Sequence, residues 1–313
     1  MTSASNSSTS MASLFDAAGT STAQTSTTSS YTRTPATSMA MTPASSFSHL
    51  NDTSSKNIII LVGLPATGKS TISQSLATHL NSHPHLKTKV FNCGQVRRDT
   101  LKTTDTYHNY EFFDPNNKLF IFKREIIAMN SMDSLIDELE SETINVGILD
   151  ATNTTRERRS NLVKLVHERV ANEGLVLDSL VVLDIQCTDP LLIHYNINAK
   201  TKNDDYKNQE YQQSINDFTK RLGNYRRAYQ PIDEEELQSY REILASYVVV
   251  ENGGADYHER TFHKSEVGNV MSEYFAAYSK YDARLYYDKV ADYYRHAEFE
   301  TNKDTINDRI CNY

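Results

Sequence analysis

Gly63, Gly68, Lys69 and Ser70 stand in the order Gly-x4-Gly-Lys-Ser within the stretch IIILVGLPATGKSTISQSL. This is the phosphate-loop spacing. Glycines let the backbone curl so that its N–H groups point inward at phosphate oxygens. A helix following the loop adds the partial positive charge of its N-terminus. Lys69 is placed to reach β- and γ-phosphates, and the Ser70 hydroxyl to ligate Mg²⁺. The chemistry on offer is nucleoside triphosphate binding. The motif alone chooses neither ATP over GTP nor transfer over hydrolysis.

A second carboxylate is needed near such a metal, and Asp150 closes the apolar run INVGILD. It is a candidate metal ligand acting through water, or a base toward an acceptor hydroxyl. The plainer reading makes it the N-cap of the helix that follows, although Thr152 or Asn153 is the better cap candidate. Basic residues gather at other segment ends. Arg97 and Arg98 close FNCGQVRR, Arg124 lies in a long helical stretch, Arg156, Arg158 and Arg159 open another, and Arg221 lies in DFTKRLGNY. Convergence on an anionic ligand is one reading. A solvated surface arginine is the other for each taken singly, and spacing does not decide. Residue types thus lead to a nucleotide-dependent kinase or NTPase, with an anionic acceptor left open.

These groups need a frame to hold them. Ile58–Val62 is a short β-branched run suited to a strand buried on both faces. Ile72, Leu76 and Leu80 recur at helical spacing after Lys69. Residues 89–92 read as a second strand, 117–141 as a long helix, 144–150 as a strand and 155–170 as a helix. LVVLDIQC, residues 180–187, is a strong strand, and 247–250 is the last. Strands alternating with helices predict an α/β fold, a P-loop NTPase-type parallel sheet flanked by helices. Residues 265–300, rich in Tyr and charge, read as helical with no clear strand. The organisation expected is a disordered Ser/Thr-rich tail over 1–55, a phosphate-loop domain over 56–254, and a helical C-terminal extension over 255–313. Gly253-Gly254 serves equally well as a boundary or as a loop within one domain.

Half of residues 1–50 are Ser or Thr, and their only charges are Asp16 and Arg33. Such a segment buries too little to offset its ordering entropy. One arginine is too few for a basic transit helix, and no apolar run marks a secretory signal or a membrane span. Cys93, Cys187 and Cys311 are far apart and lack zinc spacing. A reduced, cytoplasmic protein is the simplest account. The net charge of −8 argues against a general nucleic-acid binder.

GLPATGKSTIS, FNCGQVRRD, FFDPNN, LDATNTTRERR and DFTKRLGNYRRAYQPID follow one another in fixed order. Together they resemble the kinase domain of the 6-phosphofructo-2-kinase/fructose-2,6-bisphosphatase family, over about residues 56–254. DATNTTRERR is the most specific piece. The ATG spelling in the loop and the Ser/Thr-rich tail look most like fungal kinase-only members. The resemblance implies transfer of the ATP γ-phosphoryl group to the 2-hydroxyl of fructose 6-phosphate, giving fructose 2,6-bisphosphate, with ATP and Mg²⁺ as cofactors. It also implies site residues. Gly63, Leu64, Pro65, Ala66, Thr67, Gly68, Lys69, Ser70 and Thr71 would hold the ATP phosphates. Arg97, Arg124, Thr152, Arg158, Arg221 and Tyr225 would surround the sugar phosphate, with Arg98 sharing the work of Arg97. Asn196 and Lys200, in YNINAK, would flank nucleotide and sugar phosphate, with Lys202 a weaker alternative to Lys200. Asp150 and Cys187 match positions treated as active-site residues, although a small, inert, site-lining thiol is the preferred reading of Cys187. The catalytic set is then Lys69, Asp150 and Cys187, and the metal set Ser70 and Asp150.

Three departures accompany the resemblance. No Arg-His-Gly string occurs, and His258 and His263 in DYHERTFHKS do not match the phosphatase nucleophile, so no bisphosphatase activity is expected. Asp114 stands in FFDPNN where the family commonly has arginine, which weakens a ligand contact or is neutral on the surface. Residues 255–313 do not match the family linker well. Their stripe of Tyr274, Tyr278, Tyr281 and Tyr286 packs on the kinase, the preferred reading, or forms a homodimer surface. The alternatives to a 6-phosphofructo-2-kinase are a P-loop kinase for another small molecule and a catalytically weak nucleotide-binding regulatory protein.

Overall fold

Alternate residues of one strand organise the molecule. In the computed structural model, β1 (Lys56–Val62) sends Ile58, Ile60 and Val62 to one apolar cluster and Ile59 and Leu61 to another. All five are buried, as expected for a central strand covered on both faces. The strand expectations at 89–92, 144–150, 180–187 and 247–250 correspond to β2 (Thr88–Asn92), β3 (Val146–Asp150), β4 (Leu177–Gln186) and β5 (Leu244–Glu251). Adjacent strands in the order β2-β3-β1-β4-β5 are parallel. A sixth strand, β6 (Asp256–Thr261), joins the β5 edge antiparallel. The protein is therefore mixed α/β, with a mostly parallel six-stranded sheet flanked by helices.

The structure describes residues 55–100, 109–172 and 174–296. The expectations for the Ser/Thr-rich tail, for Cys311 and for the chain after residue 296 lie outside them.

The helices cover the sheet where their apolar stripes require. On one face α1 (Lys69–Leu80) contributes Ile72, Leu76 and Leu80, and α8 (Glu266–Lys280) contributes Val267, Met271 and Phe275. On the other, α3 (Lys118–Glu140) contributes Met132, Leu135, Ile136 and Leu139, and α4 (Arg156–Asn172) contributes Leu162 and Val166. Each such buried side chain is worth roughly 1.5–3 kcal/mol. Asn117 caps α3 by accepting from the Phe120 N–H at 3.2 Å. The remaining helices are α2 (Cys93–Thr100), α5 (Pro190–Lys200), α6 (Tyr211–Ala228), α7 (Glu234–Ser239) and α9 (Asp282–His296).

Residues 265–296 are helical without a strand, as their composition suggests, but they do not form a separate body. Tyr274 and Tyr278 are buried in the same cluster as Ile59 and Leu61, whereas Tyr281 is exposed. Gly253-Gly254 is the turn between β5 and β6, a loop within the sheet. Among the described residues no helix is long and apolar enough to cross a membrane.

Candidate active site

The phosphate loop leaves the C-terminal end of β1. Gly63 has φ 137°, and a Cβ there would lie 2.2 Å from the Ile185 carbonyl oxygen of β4, so only glycine fits. Its N–H donates to the Thr152 carbonyl at 3.0 Å, tying the loop to the segment after β3. Ala66 takes the left-handed region at φ 64° and Gly68 has φ 95°, after which α1 begins at Lys69.

Lys69 is buried, and its Nζ donates to the Leu64 carbonyl and lies 3.4 Å from Thr67 Oγ1. Burial lowers its pKa to about 7 against the opposing attraction of Asp150, and Lys200 lowers it further. An ammonium in this position gains most from an anion.

A cavity of about 480 Å³ brings the two candidate sets together. From the phosphate loop it is lined by Pro65, Ala66, Gly68, Lys69, Ser70 and Thr71, and from the end of β3 by Asp150 and Thr152. Arg97, Arg98, Arg124, Arg158, Arg221 and Tyr225 line the same space, as do Asn196 and Lys200 of α5. Gly63, Leu64 and Thr67 lie behind this lining in the loop itself. Lys202 is exposed and outside the lining, whereas Lys200 is in it, with a pKa lowered by burial.

Carboxylates organise the arginines. The Asp205 side chain is 2% exposed, and its Oδ2 lies 2.5 Å from Arg97 Nη2, 3.4 Å from Arg221 Nη1 and 3.9 Å from Arg98 Nη1. The Arg221 guanidinium also stacks 3.9 Å from the Phe113 ring centroid. Glu125 accepts both Arg158 Nε and Nη2 at 2.5 Å, a bidentate pair. Arg124 donates to the Phe112 carbonyl, and burial lowers its pKa. Tyr225 packs its ring 5.4 Å from that of Phe113. Five arginines against the two carboxylates that hold them leave this part of the cavity electropositive, suited to a multiply charged anion.

Asp150 is not a helix cap. Its Oδ2 accepts from Asn92 Nδ2 at 2.5 Å. Neither Thr152 nor Asn153 caps α4. The Arg158 N–H donates to Thr155 Oγ1 at 3.2 Å, while Asn153, at φ 44°, donates from Nδ2 to the Leu61 carbonyl at 2.7 Å. The side chain that resembled a cap instead pins the Asp150 segment to β1. Arg159, buried and paired with Glu236 at 2.6 and 2.7 Å, donates to the Asn153 carbonyl at 3.0 Å. Arg159 therefore serves the fold, and Arg156 pairs with exposed Asp233 and Glu235.

Cys187 is not among the cavity-lining residues. It packs beside Ala66 and Ile193, its Sγ lies 3.7 Å from the Asp189 carbonyl, and burial pushes its thiol up to about 11. A thiol so shifted is protonated near neutral pH and a poor nucleophile. Asp114 also lies outside the lining and accepts from the Asn116 N–H at 2.9 Å, closing its own turn.

The donor chemistry fits a nucleotide with Mg²⁺. Ser70 and Asp150 offer hard oxygens in the same cavity. Among the described residues no group of three or more His, Cys, Asp or Glu could hold a metal. A cation held by one or two protein oxygens and by substrate phosphates needs no such group.

A family model described as 6-phosphofructo-2-kinase matches residues 45–256, more than half of the chain. The chain belongs to the 6-phosphofructo-2-kinase family. It is 38% identical over 195 residues to 6-phosphofructo-2-kinase 1 of Saccharomyces cerevisiae, covering 62% of this chain and 23% of that one. It is 35% identical over 205 residues to the 6-phosphofructo-2-kinase/fructose-2,6-bisphosphatase of Caenorhabditis elegans, covering 64% and 42%. Against the Rattus norvegicus 6-phosphofructo-2-kinase/fructose-2,6-bisphosphatase 1 it is 37% identical over 206 residues, covering 66% and 40%. Each match spans less than half of the relative's own length. The loop, the end of β3 and the arginines all fall within the family match, whereas α8 and α9 lie beyond it.

Proposed function

We propose that this chain transfers the γ-phosphoryl group of ATP to the 2-hydroxyl of fructose 6-phosphate, using Mg²⁺ and forming fructose 2,6-bisphosphate. The observation that carries the reading is the cavity shared by the phosphate loop and the arginine cluster. A kinase for a phosphorylated acceptor needs two anion sites side by side, and a simple NTPase needs one.

The residues divide the work. Loop N–H groups and Lys69 bind the triphosphate, and the Lys69 ammonium neutralises charge on the transferring group. Ser70 and Asp150 would hold the cation, which neutralises phosphate charge when bound. Arg97, Arg98, Arg124, Arg158 and Arg221 bind the 6-phosphate, and Thr152 and Tyr225 orient the sugar. Asp205 and Glu125 hold the guanidiniums in place, which preorganises the acceptor site. Lys200 lies within the electrostatic reach of both Asp150 and Lys69 and contributes charge between the two anions. Cys187 takes no chemical part.

The reading extends to a chain without bisphosphatase activity. It carries no Arg-His-Gly string, and the described residues after the family match are a strand and two helices built onto the kinase fold. The test is an acceptor series with ATP and Mg²⁺. Turnover with fructose 6-phosphate and little with unphosphorylated fructose is expected. Equal or better turnover with a sugar phosphate lacking the fructose 2-hydroxyl would assign another acceptor.

A further inference from the structure

Helix α9 lies wholly beyond the family match, yet it packs against α5, the helix that carries Asn196 and Lys200 to the cavity. Tyr294 of α9 donates to the Leu191 carbonyl at 3.0 Å, and its hydroxyl lies 2.7 Å from His194 Nδ1. Tyr286 reaches further. Its hydroxyl donates to Asn196 Oδ1 at 2.6 Å, and Asn196 Nδ2 donates to the Ala66 carbonyl of the phosphate loop at 2.9 Å.

The direction of this relay follows from the groups in it. A carbonyl oxygen only accepts, so the Asn196 NH₂ must face Ala66. That leaves the Asn196 oxygen toward Tyr286, whose hydroxyl must donate. The relay ends at the residue whose backbone needs support. Ala66 sits at φ 64°, a region unfavourable for a residue with a Cβ.

The place of Tyr286 is built into the fold. Gly253, at φ 70° in the β5–β6 turn, lies under its ring, and a Cβ there would fall 2.7 Å from Tyr286 Cε1. The Tyr195 ring meets it edge-on at 5.9 Å. Neither the Tyr-rich composition of α9 nor the resemblance, which stops near Gly254, marks this contact.

We propose that Tyr286 is a positioning residue for the nucleotide site, holding the left-handed Ala66 carbonyl through Asn196. Helix α9 is then part of the machinery that binds the triphosphate, and anything that loosens it lowers nucleotide affinity. The inference rests on the functional reading only in that the loop takes ATP; the identity of the acceptor does not enter.

The test is calorimetric binding of MgATP to the full chain with no acceptor present. Wild type, Tyr286→Phe, Asn196→Ala and the double variant are compared. Phenylalanine keeps the ring over Gly253 and removes only the hydroxyl. Tyr286→Phe should weaken MgATP binding about five-fold, the worth of one hydrogen bond. Asn196→Ala should weaken it at least as much, and adding Tyr286→Phe to Asn196→Ala should change nothing further. Wild-type affinity in Tyr286→Phe would overturn the proposal, as would full additivity of the two losses, which marks a general loosening of α9. Fructose 2,6-bisphosphate formation, measured alongside, separates the two claims. Equal affinities with normal product remove the role of Tyr286 and leave the functional reading. The five-fold, non-additive loss without product supports the role of Tyr286 and removes the functional reading.

Discussion

MgATP binding should draw a proton onto the protein, and Lys69 sets how much. In the structure its pKa is lowered to about 7, chiefly by burial. At pH 8 such a group is only about one-tenth protonated. A phosphate oxygen about 3 Å from Nζ contributes roughly 5 kcal/mol per unit charge at an effective dielectric constant near 20, which raises the pKa by about 4 units. The bound state is then fully protonated at pH 8, where Mg²⁺-bound triphosphate has no proton left to titrate. Uptake should be about 0.9 proton at pH 8, about half a proton at pH 7 and about 0.1 at pH 6. Titration calorimetry in buffers of different ionisation enthalpy gives the number as a slope. The same group acts on stability without nucleotide. Its folded pKa lies below its ordinary 10.5, so between about 7 and 10.5 the unfolded chain holds the proton that the folded one lacks. The Lys69 contribution to stability therefore increases as pH rises through that window. A binding enthalpy independent of buffer at pH 8 would refute the placement of Lys69 as a desolvated phosphate ligand.

Three other perturbations probe the frame and the acceptor site. Asp205→Asn leaves the Arg97, Arg98 and Arg221 guanidiniums without their shared charge. It should cost about 3 kcal/mol and lower Tm by roughly 6–12 °C, with fructose 6-phosphate restoring part of the loss; an unchanged Tm in calorimetry would show that Asp205 does not organise the cluster. Arg158→Ala should raise KM for fructose 6-phosphate by about ten- to a hundred-fold, the range for a hydrogen bond to a charged group, with little effect on KM for ATP; a change confined to the ATP KM would move Arg158 to the nucleotide side. Gly63→Ala drives a Cβ into the Ile185 carbonyl at a φ that alanine avoids, so it should lose nucleotide binding and roughly 3 kcal/mol of stability. Wild-type ATP affinity in that variant would mean that the loop tolerates displacement.

Signals that act locally were legible in the sequence. The loop motif fixes glycines, lysine and hydroxyl within eight residues, and the β1 run needs burial on both faces, so both are visible in a short window. What organises the arginines is not local. Asp205 lies more than a hundred residues from Arg97, and Glu125 thirty-three from Arg158. A carboxylate in NDDYKN or FKREII carries no sign that it faces a guanidinium. Thr152 and Asn153 resemble caps because their residue types suit both a helix start and a loop held by side-chain hydrogen bonds. The β6 segment DYHERT escaped because it is an edge strand of mostly exposed charged residues without apolar alternation. Tyr286 reads in the sequence only as part of a tyrosine stripe that packs inward. Its bond to Asn196 depends on where the β5–β6 turn sets α9, which no spacing expresses.

The most direct test of the central claim is identification of the product made by the purified chain from ATP, Mg²⁺ and fructose 6-phosphate. Fructose 2,6-bisphosphate is expected, formed in step with ADP, abolished in a folded Lys69→Ala variant and not hydrolysed on longer incubation. ATP binding with no phosphorylated fructose product, or ADP release at the same rate with and without the sugar phosphate, would contradict that claim.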